Sequence, residues 1–582
     1  MSHQRVSFEP RYDFELTDTP TSQQRWREWG DESPTGPPSL ASGYSNLELP
    51  ITKKSASQTS LPTEWKPSTR VKLIVLTMCT VTLLIALDAT SLSVALPVMA
   101  EELNADAITA FWAGTSYLLC ATVFQPTLSS LSGIFGRKPV IIFALTLFTA
   151  GAIIAALANN FTVILVGRCI QGVGGGGLIA LAEIVITDCV PMRQRGKYFA
   201  FLSGTNSLGS VAGPVVGGGF SGEVSWRWIF WINIPFCVVL AVMIPLFVKL
   251  KLRREGMLAK LMKVDWFGSF IFVSSTTSLL IPLSWGGVMY SWSSWRTLLP
   301  LLAGLAGLTI FVLWEIYGAE NPTINMRLFM DRNAAAGYFS AATAGLILWS
   351  LLYYLPIYFE LVKGYTPMQA GLACFPETFT VMPAAVVTGV LITKTGRYRW
   401  ALWGGWSLTA TGMGIMYMID VGTPMRHWIP MNVVAGVGLG MVFPGTNYCI
   451  QSGASDKDMA TAVGLYSFMR WVGQGLGIAA GGVIFQNALK NELKKFPELA
   501  SGAHGYTTDA VGIVGFIKRM PSGPLKTQFV QAYTNALQIV WISMLGFALA
   551  GLFATIWVRE LTLDRELKTE QAVVEEDGDE RR

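Results

Sequence analysis

The sequence is poor in charge: Asp, Glu, Lys and Arg make up 14% of its 582 residues, where soluble proteins carry about 25%. It is poorer still in histidine. His3, His427 and His504 complete the set, and no two are neighbours. Histidine-based catalysis and a histidine metal site are therefore weak candidates. All seven cysteines fall in apolar runs without disulfide or metal-ligand spacing, so they read as small core residues. No G-x-x-x-x-G-K-[ST] occurs, which removes a P-loop as a source of energy. Gly172 to Gly177 spells G-x-G-x-x-G, but it lies inside a long apolar run rather than between a strand and a helix, so no nucleotide site is expected. No apolar stretch near Met1 resembles a signal peptide. The net charge of +5 is small, and no nucleic-acid partner, metal or cofactor is expected.

What the chain has in abundance is apolar length. Hydrophobic residues make up 51%, with 58 Gly and 20 Trp, a composition that points to a polytopic membrane protein. A span needs about 20 residues. On that rule helices are expected near 71–97, 108–132, 138–158, 161–189, 198–220, 228–250, 266–286, 297–317, 335–360, 366–393, 399–420, 427–450, 460–486 and 534–558. The fold class is thus all-α with about fourteen spans. Residues 1 to about 70 are polar, rich in Ser, Thr and Pro, and unable to bury a core.

Charge in the short loops alternates. Arg137-Lys138, Arg193, Arg195, Lys197, the cluster Lys249 to Lys263, Arg327, Arg332, Lys394, Arg397 and Arg399 fall on one side. The other side carries Glu101, Glu102, Asn159, Asn160 and Glu223, with only scattered Arg296, Lys363 and Arg426. The positive-inside bias then sets both termini in the cytoplasm. The basic segment 490–530 falls outside, where long loops follow the bias poorly. The sequon Asn160-Phe-Thr162 faces out but lies so close to the membrane that it is expected to go unused.

An internal repeat is visible. Gly172-Val-Gly174-Gly-Gly176 recurs as Gly436-Val-Gly438-Leu-Gly440, and Gly209, Gly213, Gly217 and Gly218 recur as Gly473, Gly477, Gly481 and Gly482; all pairs are 264 residues apart. This predicts a cytoplasmic segment 1–70, a six-helix bundle over 71–250, a basic linker with two inserted helices over 251–334, a second six-helix bundle over 335–558 with an external loop 487–533, and a cytoplasmic tail 559–582. Parallel halves around a central path suit alternating access.

Ionisable residues inside apolar runs mark function by default, because charge is costly in hydrocarbon. Asp88 and Arg168 lie at matching depths from the outer ends of their helices. They are expected to pair, either as a proton-linked switch or as a static ion pair. Glu183 follows Arg168 by 15 residues, about 22 Å along a helix, and cannot be its partner. It is expected to serve as an inner proton or substrate carboxylate, or to snorkel toward the cytoplasm. Glu377 would suit a cationic substrate group or a second proton, and Arg470 is expected to pair with it across the cavity. Asp188, Asp265, Glu315, Glu360 and Asp420 lie near predicted helix ends and read as structural.

Five stretches carry a resemblance. They are Leu87-Asp88-Ala-Thr90-Ser-Leu-Ser-Val-Ala95-Leu96-Pro97, Arg168-x-x-Gln171-Gly172, Gly209-x-x-x-Gly213-Pro214-x-x-Gly217-Gly218, Trp226-Arg-Trp-Ile-Phe-Trp-Ile-Asn-Ile-Pro235 and Tyr353-Tyr-Leu-Pro356-Ile-Tyr-Phe. Together they resemble the fourteen-helix drug:proton antiporters of the major facilitator superfamily, the last two being similar to fungal members. The resemblance implies export of a small amphipathic or cationic compound in exchange for protons, in a lipid bilayer, by a protein expected to be a monomer. It implies proton coupling through Asp88, Arg168 and Glu183. Substrate contacts are expected from Glu377, Arg470, Tyr117, Tyr353 and Gln171. Gating and packing are expected from Gly209, Gly213, Pro214, Gly217 and Gly218, with Gly136, Arg137 and Lys138 in the loop after the second helix. That loop departs from the family's Gly-x-Leu-x-Asp-x-x-Gly-Arg-Lys: Ser129 replaces the leading glycine and Gly133 the aspartate, which puts the family's cytoplasmic latch in question. A vacuolar, siderophore or amino-acid transporter, and a non-transporting sensor of the same fold, are the alternatives. An enzyme is not expected.

Overall fold

The structure is a computed structural model and describes residues 65–105, 107–250, 256–286, 289–500, 502, 506 and 513–565. The polar segment 1–64, residues 251–255 of the basic linker and the tail beyond 565 lie outside the described residues. From Lys66 onward the chain clusters as one unit.

Among the described residues that unit is built from fourteen long helical elements. In the first half these are α1 (Thr69–Glu102), α2 (Ala107–Val123 continued by Gln125–Phe135), α3 (Arg137–Ala156), α4 (Phe161–Cys189), α5 (Arg195–Glu223) and α6 (Trp228–Trp231 continued by Asn233–Phe247). The insert is α7 (Trp266–Trp285) and α8 (Trp295–Tyr317). The second half has α9 (Arg332–Ile357 with a π turn Tyr358–Val362), α10 (Pro367–Ala373 continued by Phe375–Thr395), α11 (Arg399–Met416), α12 (Met425–Gly453), α13 (Met459–Leu493) and α14 (Pro524–Ile556). Among the described residues the only strand-like pairing is one isolated bridge, Gly286 with Tyr290.

Ten of these helices are apolar and long enough to cross a membrane on their own, and the two pieces of α2, bent by 42°, make up to eleven. The remaining three are α5, α11 and α13, with 29, 18 and 35 residues. They have the length but carry glycine and polar side chains instead of a continuous apolar surface. Proline sets two of the breaks. Pro126 follows the bend in α2, and Pro376 follows the break at Cys374 in α10; a ring without an N–H cannot continue the ladder of the preceding turn. Two ends differ most from the sequence expectation. α13 runs to Leu493 rather than 486, and α14 starts at Pro524 rather than 534. Hydropathy marks the apolar crossing, whereas the helix continues through Lys526, Gln528 and Gln531 without a breaker.

The sequence repeat is a repeat of packing. On α4, a Cβ at Gly172 or Gly176 would collide with the backbone carbonyl of Tyr117 or Ala121 on α2, and one at Gly174 with Ala144 and Phe148 on α3. On α12, Gly436 and Gly440 meet the carbonyls of Glu377 and Val381 on α10 in the same way, and Gly438 meets Gly405 and Thr409 on α11. The stripe Gly209, Gly213, Gly217 seats α5 on α1, while Gly473, Gly477, Gly481 seats α13 on α9. Small residues allow helices to approach backbone to backbone where lipid gives no hydrophobic drive between them. Pro214 sits on the exposed face of α5, away from this seam.

The insert packs on itself, with Gly304 of α8 against Ser275 and Leu279 of α7. α7 then leans on both halves: Trp285 meets Trp112 of α2 at 6.1 Å between ring centroids, and Phe272 meets Phe468 of α13 at 5.4 Å. α8 keeps Leu299, Leu302, Leu305, Ile310, Leu313 and Ile316 exposed, as a helix facing hydrocarbon should.

Candidate functional site

The first half holds a dry polar cluster between α1, α2, α4 and α6. Asp88 and Arg168 are each 1% exposed, and Gln171 and Asn233 are fully buried. Arg168 Nη1 donates to Asp88 Oδ2 at 2.7 Å. The other carboxylate oxygen accepts from Gln171 Nε2 at 2.8 Å and from Asn233 Nδ2 at 2.7 Å. Arg168 is itself held on three sides. Its Nη1 also reaches Gln171 Oε1 at 2.7 Å, its Nε donates to the Ala113 carbonyl at 3.2 Å, and its guanidinium lies 4.2 Å from the centre of the Tyr117 ring. The expected Asp88–Arg168 pair is therefore formed, and Gln171 and Tyr117 belong to it. Asn233 was not anticipated. Its sequence signals are an amide inside the apolar run Trp231-Ile-Asn233-Ile-Pro235 and its place in the Trp226–Pro235 stretch that carries the resemblance.

A second charged pair joins the halves. Arg470 of α13 donates to Glu183 of α4 at 2.8 Å. The expected partnership of Arg470 with Glu377 is not formed. Glu377 is fully buried on α10, and neither of its oxygens has a hydrogen-bond partner among the described residues. Glu183 lies on the α4 face that meets α13, which puts it within reach of Arg470, while Glu377 lies on the α10 face that meets α12 at Gly436. Tyr353 is half-buried near the C-terminal end of α9, its ring centroid 5.5 Å from that of Tyr354.

Contacts between the halves accumulate toward the end that carries the basic loops. Arg195 donates to the carbonyls of Val190 and Thr187 at the end of α4, and to Gln451 Oε1 of α12 at 2.6 Å. Gln451 is held by Asn447. Tyr448 of α12 accepts from the Gly196 N–H at 2.6 Å and donates to the Arg193 carbonyl at 3.0 Å. Arg193 caps α10 by donating to the Thr393 and Lys394 carbonyls at 3.0 and 3.3 Å, and pairs with Asp564 at 2.8 Å. The backbones of Gly196 on α5 and Gly389 on α10 touch with no room for a side chain between them. Exposed helix-terminal carbonyls attract such cations.

The degraded loop after α2 has an anchor of its own. Arg137 donates to Asp188 Oδ2 at 2.9 Å and to Ser132 Oγ at 2.7 Å, and both members of the ion pair are buried. Asp188 lies at the end of its helix and is structural, as the sequence suggests, and it supplies the carboxylate that Arg137 pairs with. Gly136 has φ +98°, a left-handed value that a side chain resists, and Lys138 donates to the Pro245 carbonyl at 2.9 Å. At the opposite end, Glu102 of α1 accepts from Arg227 and from the Trp226 indole, both at 2.7 Å. The Arg227 guanidinium holds the Glu102 carboxyl below its usual range.

Comparison with known proteins agrees with this architecture. The Major Facilitator Superfamily model matches residues 78–478. An MFS transporter, L2, of a Phoma species is 49% identical over 90% of this chain and 88% of its own length. The efflux pump FUS6 of Gibberella moniliformis is 34% identical over 93% of this chain and 97% of its own. An MFS-type transporter of the acurin A biosynthesis cluster in Aspergillus aculeatus is 34% identical over 87% and 92%. Among solved structures, the proton:xylose symporter XylE (16% identity, TM-score 0.54, 86% of this chain and 98% of that one) and the human organic anion transporter MFSD10 (14%, 0.54, 84% and 100%) share the fold. The chain is a multi-pass membrane transporter of the major facilitator superfamily, and its relatives in sequence are fungal MFS-type transporters and efflux pumps.

Proposed function

We propose that the protein is a proton-coupled antiporter that exports small amphipathic or cationic organic compounds, secondary metabolites among them, across the plasma membrane. The observation that carries this reading is the buried Asp88–Arg168 pair with Gln171 and Asn233 around it. An ion pair in so dry a place is a two-state element. With Asp88 ionised, Arg168 is held on it. With Asp88 protonated the attraction is gone, and Arg168 falls back on Gln171, the Ala113 carbonyl and the Tyr117 face, partners it already touches. Because the cluster ties α1, α4 and α6 together, the change reaches helices of the first half at once.

The moving parts are the expected bundles, 71–250 and 335–558. The contacts at Arg193, Arg195, Gly196 and Tyr448 close the basic-loop end, which the charge bias assigns to the cytoplasm. This conformation then faces outward, with Glu183–Arg470 as the inner bolt. Tyr353 and the neighbouring aromatics are offered to an amphiphile. The names of the relatives, efflux pumps and a biosynthesis-cluster transporter, favour a metabolite as cargo. The altered loop after α2 is what favours the sensor alternative, and the Arg137–Asp188 pair, which anchors that loop, counts against it.

The test is transport by full-length protein in proteoliposomes, using a panel of amphipathic cations and neutral amphiphiles. Antiport expects uptake or release of at least one compound only when an opposing proton gradient is imposed. Movement at equal rate with and without the gradient contradicts it.

A further inference from the structure

The two halves superimpose their polar residues as well as their glycines. Tyr117 and Glu377 are the residues whose backbone carbonyls receive Gly172 and Gly436, and Arg168 and Asn432 each lie one turn before those glycines. The second half therefore carries Glu377 where the first has Tyr117, and Asn432 where the first has Arg168. In the first half the cation satisfies a carboxylate. In the second half the cation has been replaced by an amide. Glu377 and Asn432 are both fully buried, and Glu377 Oε1 and Oε2 and Asn432 Nδ2 and Oδ1 all lack hydrogen-bond partners among the described residues.

We propose that Glu377 is a second proton-binding site, occupied in this conformation, with Asn432, which holds the place of Arg168 in the repeat, as the polar group on the facing helix α12. A carboxylate withdrawn from water without donors or a countercharge carries the large cost of a buried charge, whereas the neutral acid carries only the smaller cost of an unbonded polar group. Of the titratable groups on elements packed against α10, Cys374 lies beside Glu377 on the same helix, Glu360 of the π turn acts on Cys374, and Arg193 caps the far end of α10; among the described residues none is a hydrogen-bond partner of Glu377. The unpartnered amide offers the acid proton an acceptor and the carbonyl a donor once the side chains turn toward each other. In an outward-facing protein this proton has come from outside and leaves when the other end opens. The inference rests on the antiport reading for its direction, but the protonation of Glu377 can be tested without it.

The experiment is an infrared difference spectrum of the purified full-length protein in lipid, comparing wild type with Glu377→Gln and Asp88→Asn, each checked for monodispersity and thermal unfolding. A carboxylic-acid carbonyl band present in wild type, retained in Asp88→Asn and missing from Glu377→Gln is expected. Asn432→Ala should move that band, and serves if Glu377→Gln does not fold. In proteoliposomes the number of protons exchanged per substrate should fall by one in Glu377→Gln. Spectra of wild type and Glu377→Gln that coincide overturn the proposal. A Glu377 band in a protein that shows no proton-driven transport upholds this site and overturns the antiport reading instead.

Discussion

Glu183 and Arg470 stand 287 residues apart in the chain and 2.8 Å apart in space, one on α4 and one on α13. Each is a charge inside a helix bundle, and each would be left nearly alone without the other. Breaking a buried pair by removing one partner costs roughly 3–5 kcal/mol, with less expected here because the pair is partly wetted. Glu183→Gln and Arg470→Gln should each slow transport and loosen the closed end. The swap Glu183→Arg with Arg470→Glu should recover part of both. A double-mutant cycle on transport rate and unfolding temperature checks this; additive losses would mean that the two residues act separately.

The closed end makes its own prediction. Tyr448→Phe removes a hydroxyl that serves both halves. Two neutral hydrogen bonds are worth about 1–3 kcal/mol together, so the balance should shift toward opening at the basic-loop end. Gly389→Ala should do the same by another route, because the added Cβ would lie 2.7 Å from the Gly196 carbonyl oxygen. Overpacking of that kind costs about 1–3 kcal/mol. Spin-label distances between Lys197→Cys and Lys394→Cys, both on exposed positions, should lengthen in each variant.

Arg137 and Asp188 predict a fault in stability. Asp188→Asn leaves a buried guanidinium without its carboxylate, and the unfolding temperature should fall by an amount corresponding to roughly 3 kcal/mol or more. Gly133→Asp restores the family's acid at a position where a Cβ meets no neighbouring atom within 4 Å. It should be tolerated within about 0.5 kcal/mol. A Gly133→Asp protein that also rescues Asp188→Asn would show that the two acids are interchangeable partners of Arg137.

The Glu102–Arg227 pair gives a pH signature at the other end. The folded Glu102 carboxyl sits below its ordinary value. The stability this supplies is complete above the ordinary carboxylate range and is lost as pH falls through the lowered value. Both side chains are substantially exposed, so the contribution is at most about 1 kcal/mol. Glu102→Gln should lower the unfolding temperature slightly near neutral pH and have no effect in strong acid.

Much of this was legible from residues. Apolar runs of span length, the glycine repeat and the matching depths of Asp88 and Arg168 all survive in three dimensions, because membrane helices must satisfy their own backbone and hide their charges. Three features were not legible. Asn233 carries no charge to flag it. The partner of Arg470 depends on which faces of α4, α10 and α13 meet, and period alone does not rank two carboxylates in opposite halves. Asp188 stands at the helix end where the apolar run places it, but its pairing with Arg137 depends on how the loop after α2 folds back, which hydropathy does not give.

Proton flux through Asp88 is the most direct test of the mechanism. Substrate exchange by wild-type protein in proteoliposomes, followed with an internal pH dye, should acidify the lumen in step with substrate movement and stop when the pH gradient is collapsed. Asp88→Asn should retain substrate binding, move no protons and respond to no gradient. A Asp88→Asn protein that still exchanges protons for substrate at the wild-type ratio would contradict the account at its centre.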